Sequence, residues 1–516
     1  MAQGAPAVDE PRQARRGREL RRGERLRPPT IQIRQPVHEI PIYELLDTAG
    51  LETIHDASMI ILEEVGIEFR DAEALDLWRA AGAEVRDQRV RIPRELLLAK
   101  LALLPETYVQ HARNPERNVV VGGRHMVYAP VYGSPFVRGF DGQRRYGTLD
   151  DFRNLVKLTY MAGCLQHSGG VVCEPVDVPV PKRHLDMVYS HIKYSDKPFM
   201  GMVTAPERAL DSVRLAEIAF GREFVDRNTV MTSVVNCNSP LVWDGIMLGA
   251  LKVYARHNQA VLVTPFIMAG AMAPAATAGA IAQLNAEVLA GLAFTQLVRP
   301  GVPMVYGSFV TTVSMRSGAP MMGTPEPAHM IYACTQLARR YKLPVRTGGM
   351  LCGSKIADAQ AAFESMQTMI PTLMAGTNFV LHSAGWLEAG LCAGYGKFVM
   401  DCEQIAMLQK FGQGIDVSPE GIALDAVREV GPGGHYLGCA HTMRHYQDAF
   451  FLPEIADNNS VEQWEAEGAH DTNARATAVA ERMLKEYQAP PLDPAIDEAL
   501  LDYVARRKGE LADTVR

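Results

Sequence analysis

Between residues 118 and 412 the chain alternates short apolar runs with longer helical stretches, and this alternation strongly constrains the fold. Eight strand-then-helix units fit into about 290 residues. A helix after every strand forces parallel pairing with right-handed crossovers, and eight such units predict an α/β fold of the (β/α)8 type, the TIM barrel. The predicted strands are 127–132, 165–173, 199–203, 230–236, 260–266, 304–308, 345–349 and 379–383. An open doubly wound sheet is the alternative, but no GxGxxG motif follows the first strand, as dinucleotide binding would require.

Regions of different pattern flank the predicted barrel, which we assign to residues 118–412. Residues 31–117 are predicted to form an N-terminal helical region, and residues 413–516 a C-terminal helical extension that covers a barrel end or forms an oligomer contact. Residues 1–30 carry eight arginines and four acidic residues, a net charge of +4. Since the whole chain has a net charge of −7, the remaining residues carry −11. We predict a disordered basic tail for this segment; the alternative is an arm that binds RNA or another acidic partner.

The overall composition predicts a soluble globular protein of the cytoplasm. Apolar residues make up 47% and charged residues 22% of the chain, close to typical usage, and the acidic balance argues against nucleic-acid binding. Eight cysteines form no CxxC pair, so neither a disulfide scaffold nor a zinc ribbon is indicated. The apolar run 260–282 is long enough to span a bilayer, but Pro265, Gly270 and Pro274 interrupt it. We interpret it as a buried strand followed by a helix, with no membrane span.

In a barrel of this type the active site lies at the C-terminal ends of the strands. Several aromatic residues and few acidic ones fall there, and a glycine-rich loop, 347–354, follows the seventh predicted strand. Because ring faces attract cations, this composition favours a quaternary ammonium ligand; the alternative is that the rings only fill the barrel layers. The candidate substrate-binding residues are Tyr132, Phe266, Tyr306, Phe309, Trp386, Glu388, Glu326 and Gly349. The sequence assigns no catalytic residue.

Two other features suggest different chemistry. Lys355 precedes a helical stretch and could form a Schiff base, as in barrel lyases, although a surface or capping role is more common for such a lysine. His435, Cys439, His441 and His445 place four potential zinc ligands within eleven residues, but their spacing fits no standard finger. We interpret this cluster as polar packing and predict no metal site.

Several separate sequence motifs resemble those of a known protein family, which the spacing of individual residues alone does not reveal. They are AGAMAPAATAGA at 269–280 running into NAE at 285–287, VYGS at 305–308, GTPE at 323–326, KIADAQ at 355–360, GHYL at 434–437, HTMR at 441–444, and Trp464 with Gly468. Together they resemble the trimethylamine:corrinoid methyltransferase family. The similarity runs from about residue 40 to residue 507 and leaves the first 30 residues outside the shared core.

The resemblance implies an enzyme that passes a methyl group from an amine to the cob(I)alamin of a separate corrinoid protein, with no permanently bound cofactor of its own. The trimethylamine-using branch depends on pyrrolysine, whereas this sequence contains only standard residues. It therefore resembles the non-pyrrolysine branch, some of whose members demethylate glycine betaine and related quaternary amines. Arg138 and Arg316 are candidate partners for a betaine carboxylate. We expect a homo-oligomer; the alternative functions are the Lys355 lyase and a non-catalytic quaternary-amine-binding protein.

Overall fold

A six-stranded sheet, parallel throughout, organises the protein, whose computed structural model describes residues 34–513. In sheet order its strands are Val127–Tyr128, Phe379–Val380, Val345–Arg346, Met304–Gly307, Ala260–Val263 and Thr232–Val235. The predicted basic tail, residues 1–30, lies outside the described residues. The expected α/β class with parallel pairing is confirmed.

Two further segments lie beside the outer strands of this sheet. The backbone N–H groups of Gln166 and His167 donate to the carbonyl of Tyr128 at 3.1 and 3.2 Å. Ser168 N donates to Pro198 O at 2.8 Å, and Phe199 forms a parallel bridge with Met231. These contacts involve the second and third predicted strands, neither of which forms a regular strand of its own.

Side-chain alternation along the strands separates an inner from an outer face, because successive residues of a strand point to opposite sides. Val234, Leu262, Val305 and Phe379 pack together in one inner cluster. Their strand neighbours belong to the larger apolar cluster under the helices, for example Val235, Val263, Tyr306 and Val380. A hairpin, Thr107–Gln110 with Val119–Gly122, adds Val119 and Val121 to the inner cluster.

Helices cover the outer face of the sheet. Their bounds are Leu149–Met161, Arg183–Tyr194, Pro206–Phe220, Arg222–Arg227, Gly245–Arg256, Thr277–Val298, Pro325–Arg340, Ala359–Met374 and Tyr395–Phe411. Thr277–Val298 is long and apolar enough to cross a membrane, but 89% of its most apolar window is buried inside the protein. The apolar run 260–282 therefore forms strands and the start of a core helix, as predicted.

Short strands form additional small sheets, most of them beyond the C-terminal ends of the main strands. Phe266–Ala269 pairs with Phe309–Val313, which pairs with Pro320–Met321. The other such sheet contains Trp386–Leu387, Cys392–Gly394, Phe136–Arg138 and Arg144–Tyr146. These two small sheets therefore lie along the C-terminal edge of the main sheet.

The N-terminal region is less helical than the sequence predicts. It contains the helices Thr48–Ile60 (continued by a π turn, Ile61–Val65), Ala72–Ala81 and Arg94–Leu101, and a 3-10 turn, Pro115–Arg117. Three strands of three residues each, Ile67–Phe69, Glu84–Arg86 and Arg89–Arg91, form a sheet with Val242–Trp243. Strands this short show almost no alternation, which explains why the sequence pattern did not reveal them.

The two long helices of the C-terminal region pack on other helices. Thr472–Glu486 lies against Tyr395–Phe411, and Pro494–Glu510 lies against Pro206–Phe220. Arg507 pairs with Asp211 at 2.8 Å, and Lys508 with Asp186 at 2.6 Å. The shorter helices are Pro419–Ile422, Leu424–Val430, Ala440–His445 and Val461–Ala466. All eight cysteines are free thiols.

Candidate active site

A cluster of aromatic rings lies at the C-terminal edge of the main sheet, with Phe309 at its centre. The Phe309 ring centre lies 5.2 Å from that of Phe266, 5.3 Å from that of His382 and 5.9 Å from that of Trp386. Phe266 and Phe309 are register partners on adjacent parallel strands. Phe266 and Phe309 each follow a different strand of the main sheet, and His382 and Trp386 both follow a third, Phe379–Val380. The cluster therefore forms only when these strands lie side by side.

His382 connects the cluster to Tyr132, the ring that follows the strand Val127–Tyr128. The His382 ring centre lies 4.3 Å from Trp386 and 6.4 Å from Tyr132. His382 has a φ of +62°, a conformation in which non-glycine residues are uncommon and which occurs most often at functional sites. Tyr132, Phe266 and Phe309 are partly exposed, whereas Trp386 and His382 are buried. The cluster therefore has an open side and a closed side.

Arg346 lies beneath this cluster, and the sequence analysis did not identify it. Its neighbour Val345 packs on the outer face of the sheet, so alternation points Arg346 inward. The side chain is 1% exposed, and its guanidinium carbon lies 5.2 Å from the Phe309 ring centre. Nη1 donates to the carbonyl of Ser308 at 2.9 Å, while the buried Nε has no partner among residues 34–513. A single charged residue in an apolar strand is the sequence signal that could have revealed it.

Two other polar groups of the cluster are buried without a partner, namely His382 Nδ1 and Trp386 Nε1. Burial, with a smaller contribution from the positive charge of Arg346, holds the pKa of His382 well below its usual value. Burial also lowers the pKa of Arg346 to about 9. At neutral pH the histidine is therefore uncharged and the arginine is charged. Buried polar groups normally have hydrogen-bond partners, so this set points to a polar ligand.

Four predicted residues come together here: Tyr132, Phe266, Phe309 and Trp386. Tyr306 does not join them. It is fully buried, and its hydroxyl donates to Asn285 Oδ1 at 3.0 Å. Because Val305 takes the inner position on this strand, Tyr306 points outward to the helix Thr277–Val298.

The two carboxylates predicted from the sequence, Glu388 and Glu326, differ in their surroundings. Glu388 binds Arg144 at 2.9 Å and lies 3.7 Å from Arg138, so it already has cationic partners. Arg138 also donates to Gly142 O at 2.6 Å, whereas Arg316 is exposed. Glu326 is partly exposed in the first turn of the helix Pro325–Arg340. Neither predicted arginine takes the position beneath the rings that Arg346 occupies.

Gly349 has a packing reason for being glycine. Its φ is +129°, and a Cβ atom there would lie 2.5 Å from the carbonyl oxygen of Leu381. The next residue, Met350, donates its N–H to His382 O at 3.0 Å. The loop therefore presses closely against the segment that carries His382, which helps to hold the strained histidine.

Lys355 and the histidine cluster lie elsewhere. Lys355 is exposed, and its Nζ donates to Gly353 O at 2.8 Å. His441 and His445 have ring centres 4.7 Å apart, and with Glu420 they place three potential metal ligands within 4.8 Å of one another. Arg444 also binds this carboxylate, at 3.0 Å. His435 is exposed, and Cys439 accepts a hydrogen bond from Thr442 N at the helix start.

Comparisons with known sequences give close relatives over nearly the whole chain. Glycine betaine methyltransferase of Desulfitobacterium hafniense (strain Y51) is 42% identical over 92% of this chain and 99% of its own length. Proline betaine:corrinoid methyltransferase of Eubacterium limosum is 30% identical over 89% and 96%, respectively. Trimethylamine methyltransferase MttB of Methanosarcina barkeri is 28% identical over 88% and 92%.

A solved structure supports the fold. The monomethylamine methyltransferase MtmB of Methanosarcina barkeri superposes with a TM-score of 0.52 at 11% identity, covering 86% of this chain and 88% of its own. The model of the trimethylamine methyltransferase (MTTB) family matches residues 12–512, so the match extends into the segment that the sequence analysis left outside the shared core. The chain belongs to the trimethylamine methyltransferase family.

Proposed function

We propose that the protein transfers a methyl group from a quaternary (or tertiary) methylamine, such as glycine betaine, to the cob(I)alamin of a separate corrinoid protein. The ring cluster around Phe309 is the observation that carries this proposal, because aromatic faces bind methylated ammonium ions. The two relatives at 42% and 30% identity support it, since their names give glycine betaine and proline betaine as substrates, whereas the trimethylamine methyltransferase of Methanosarcina barkeri is 28% identical. The absence of pyrrolysine from the sequence weighs against trimethylamine itself.

The reaction requires little general acid or base catalysis from the protein. Cobalt(I) attacks the methyl carbon with its electron pair and the C–N bond breaks, so a neutral tertiary amine leaves with that bond's electrons. The corrinoid supplies the nucleophile, and the rings must align nitrogen and methyl group, which contributes up to roughly 7–11 kcal/mol in well-oriented reactions. The cationic charge disappears during transfer, so a carboxylate against the ammonium would stabilise the substrate more than the transition state. Glu388 is already paired with Arg144, which agrees with a site where no free carboxylate lies against the ammonium group.

We further propose that the main sheet closes into the eight-stranded barrel of the sequence analysis. The segments at Gln166–Ser168 and Pro198–Met200 would supply the second and third strands, as their backbone hydrogen bonds suggest. The hairpin Thr107–Gln110 with Val119–Gly122 would then fill the N-terminal end, where Tyr108 hydrogen-bonds Thr232 at 3.0 Å. The corrinoid protein would approach the opposite end of the barrel, where the rings lie, and the protein would have no resident cofactor.

We also propose a cytoplasmic location, with which the free thiols of all eight cysteines agree.

The two alternative functions have less support. A Schiff-base lysine is normally activated by a buried, apolar site, whereas Lys355 is exposed and lies outside the ring cluster. A non-catalytic binding protein would use the same rings, so only a turnover measurement separates it from the enzyme.

We also propose that the protein is a homo-oligomer that associates through the segment 415–452. Twelve large apolar side chains in this segment are exposed, including Ile415 at 89%, Leu437 at 82% and Phe450 at 81%. This many exposed apolar side chains in one segment favour a partner that covers them, because monomers rarely expose large contiguous apolar patches. A standard interface takes about 800 Å² per partner from roughly 20–30 residues. The segment begins near Gly412, whose carbonyl accepts from Glu39 N, at the edge opposite the rings. A second copy bound there would leave the ring end free.

The direct test is spectroscopic. The protein is mixed with a cob(I)alamin-loaded corrinoid protein and a panel of glycine betaine, choline, tetramethylammonium and trimethylamine. We expect glycine betaine to convert cob(I)alamin to methylcob(III)alamin, with stoichiometric release of dimethylglycine. Binding of the amines without any spectral change would favour the binding-protein alternative, and borohydride trapping of a substrate on Lys355 would favour the lyase.

A further inference from the structure

Arg346 is a buried cation with almost all of its hydrogen-bonding capacity unused. A guanidinium carries five N–H donors, yet the single hydrogen bond that Arg346 donates goes to Ser308 O at 2.9 Å. Among residues 34–513, no carboxylate lies within the 4.0 Å of an ion pair with it. The side chain is 1% exposed, and among the described residues its buried Nε has no hydrogen-bond partner.

We propose that Arg346 binds the carboxylate of the substrate, so that the enzyme selects N-methylated amino acids over methylamines that lack an acid group. This inference rests on the proposed function and adds a specificity-determining residue to it. A buried, unpaired charge is strongly unfavourable, and an anion that enters the site removes that penalty. Arginine is well suited to this role because its planar fork binds a carboxylate with two parallel hydrogen bonds.

The spacing of the site suits a small zwitterion. The guanidinium carbon lies 5.2 Å from the centre of the Phe309 ring, and that ring lies 5.2–5.9 Å from Phe266 and Trp386. A carboxylate on Arg346 would therefore leave the ammonium group, one methylene away in glycine betaine, beside these rings. Trp386 Nε1, an N–H donor, and His382 Nδ1 are further buried polar atoms at the same place that have no partner among residues 34–513.

The positive charge of Arg346 also discriminates against the wrong ligand. A methylamine without a carboxylate brings only a cation into a site that already holds one, and like charges at this distance repel. With a betaine the carboxylate compensates the arginine. Methyl transfer then turns the ammonium into a neutral amine, so the remaining repulsion falls as the C–N bond breaks, which favours the transition state over the bound substrate.

The test is a set of binding measurements on the full chain without corrinoid protein, using isothermal titration with glycine betaine and with choline. The variants are Arg346→Lys, Arg346→Gln and, as a matched control, Arg222→Gln, which removes an exposed arginine at the start of the helix Arg222–Arg227. We expect the wild type and the Arg222→Gln variant to bind glycine betaine more tightly than choline. Arg346→Gln should lose about 10- to 150-fold of its affinity for glycine betaine, the range for a charged hydrogen bond, without weaker binding of choline. Arg346→Lys should lie between.

Two outcomes would overturn the inference. One is a wild type that binds choline as tightly as glycine betaine, a result that needs no variant to fold. The other is an Arg346→Gln variant whose circular dichroism matches the wild type and whose affinity for glycine betaine is unchanged, or falls by the same factor as its affinity for choline. These outcomes are separate from failure of the proposed function: methyl transfer from choline or tetramethylammonium would refute only the role of Arg346, whereas no transfer from any amine would refute the function itself.

Discussion

At the scale of single residues, Phe309 connects the two halves of the candidate site. Its ring contacts Phe266, His382 and Trp386 on one side and lies over the guanidinium of Arg346 on the other. A cation held by these rings therefore lies close to a charge of the same sign, which an acidic group on the ligand would balance. The ring should contribute to binding through its electrons as well as through its apolar area.

We expect Phe309→Leu to weaken binding of glycine betaine roughly 2- to 30-fold, because a cation–π contact contributes about 0.5–2 kcal/mol. Leucine keeps an apolar side chain but removes the aromatic face. The control is Phe363→Leu, which changes a ring that is 62% exposed on the helix Ala359–Met374. Calorimetric titration measures both variants, and equal affinities for wild type and Phe309→Leu would exclude the ring from the site.

The sequence predicted the rings but not the charge beneath them. Tyr132, Phe266, Phe309 and Trp386 could be nominated because each follows an apolar run, and in barrels the loops after strands carry the site. Arg346 belongs to a strand of two residues, Val345–Arg346. Which of two residues points inward depends on the register with neighbouring strands, and two residues show no periodicity from which to infer it.

At the scale of elements, the parallel strands and their helices were predictable, whereas the shortest elements and their partners were not. The helix Thr277–Val298 followed from a long apolar run, and 89% of its most apolar window is buried inside the protein. The hairpin Thr107–Gln110 with Val119–Gly122 crosses the predicted boundary at residue 117. Its pairing joins residues on both sides of a 3-10 turn, Pro115–Arg117. The Asn-Pro pair at 114–115 marks a turn but does not indicate which strands pair across it.

The segment 415–452 yields a prediction at this scale. We expect the full chain to elute as a dimer or larger species at micromolar concentration, measured by size-exclusion chromatography with light scattering. The double variant Leu437→Ser with Phe450→Ser should be monomeric, because it removes two apolar side chains that are 82% and 81% exposed. Met315→Ser, which changes a side chain 77% exposed in the turn after Phe309–Val313, should leave the mass unchanged. A monomeric wild type would contradict the assignment.

At the scale of the whole molecule, buried histidines connect stability to pH. Burial lowers the pKa of His167 and of His382 well below the usual value, and that of His191 to about 4. The folded state therefore binds fewer protons than the unfolded state once the pH is below about 6.5, where exposed histidines are protonated. The contribution of these histidines to the free energy of unfolding is fully present above this pH and is lost as the pH decreases. Asp401, whose pKa burial raises to about 6, opposes the trend with one proton.

We expect the free energy of unfolding to fall between pH 6.5 and pH 5 by up to about 1.4 kcal/mol per pH unit for each buried histidine, less the contribution of Asp401. Urea unfolding at several pH values measures the slope. His191→Gln should reduce it, since it removes one such group, whereas His435→Gln, at an exposed position, should not. A free energy that does not change over this range would show that these histidines are protonated in the folded protein.

The most direct measurement of the central claim is a crystal structure of the protein with glycine betaine. We expect the trimethylammonium group within about 6 Å of the Phe309 ring centre, a methyl carbon facing the open side of the cluster, and the carboxylate on Arg346. A ligand bound beside Lys355 or on the outer surface, with the ring cluster vacant, would contradict the site and the specificity we assign to it.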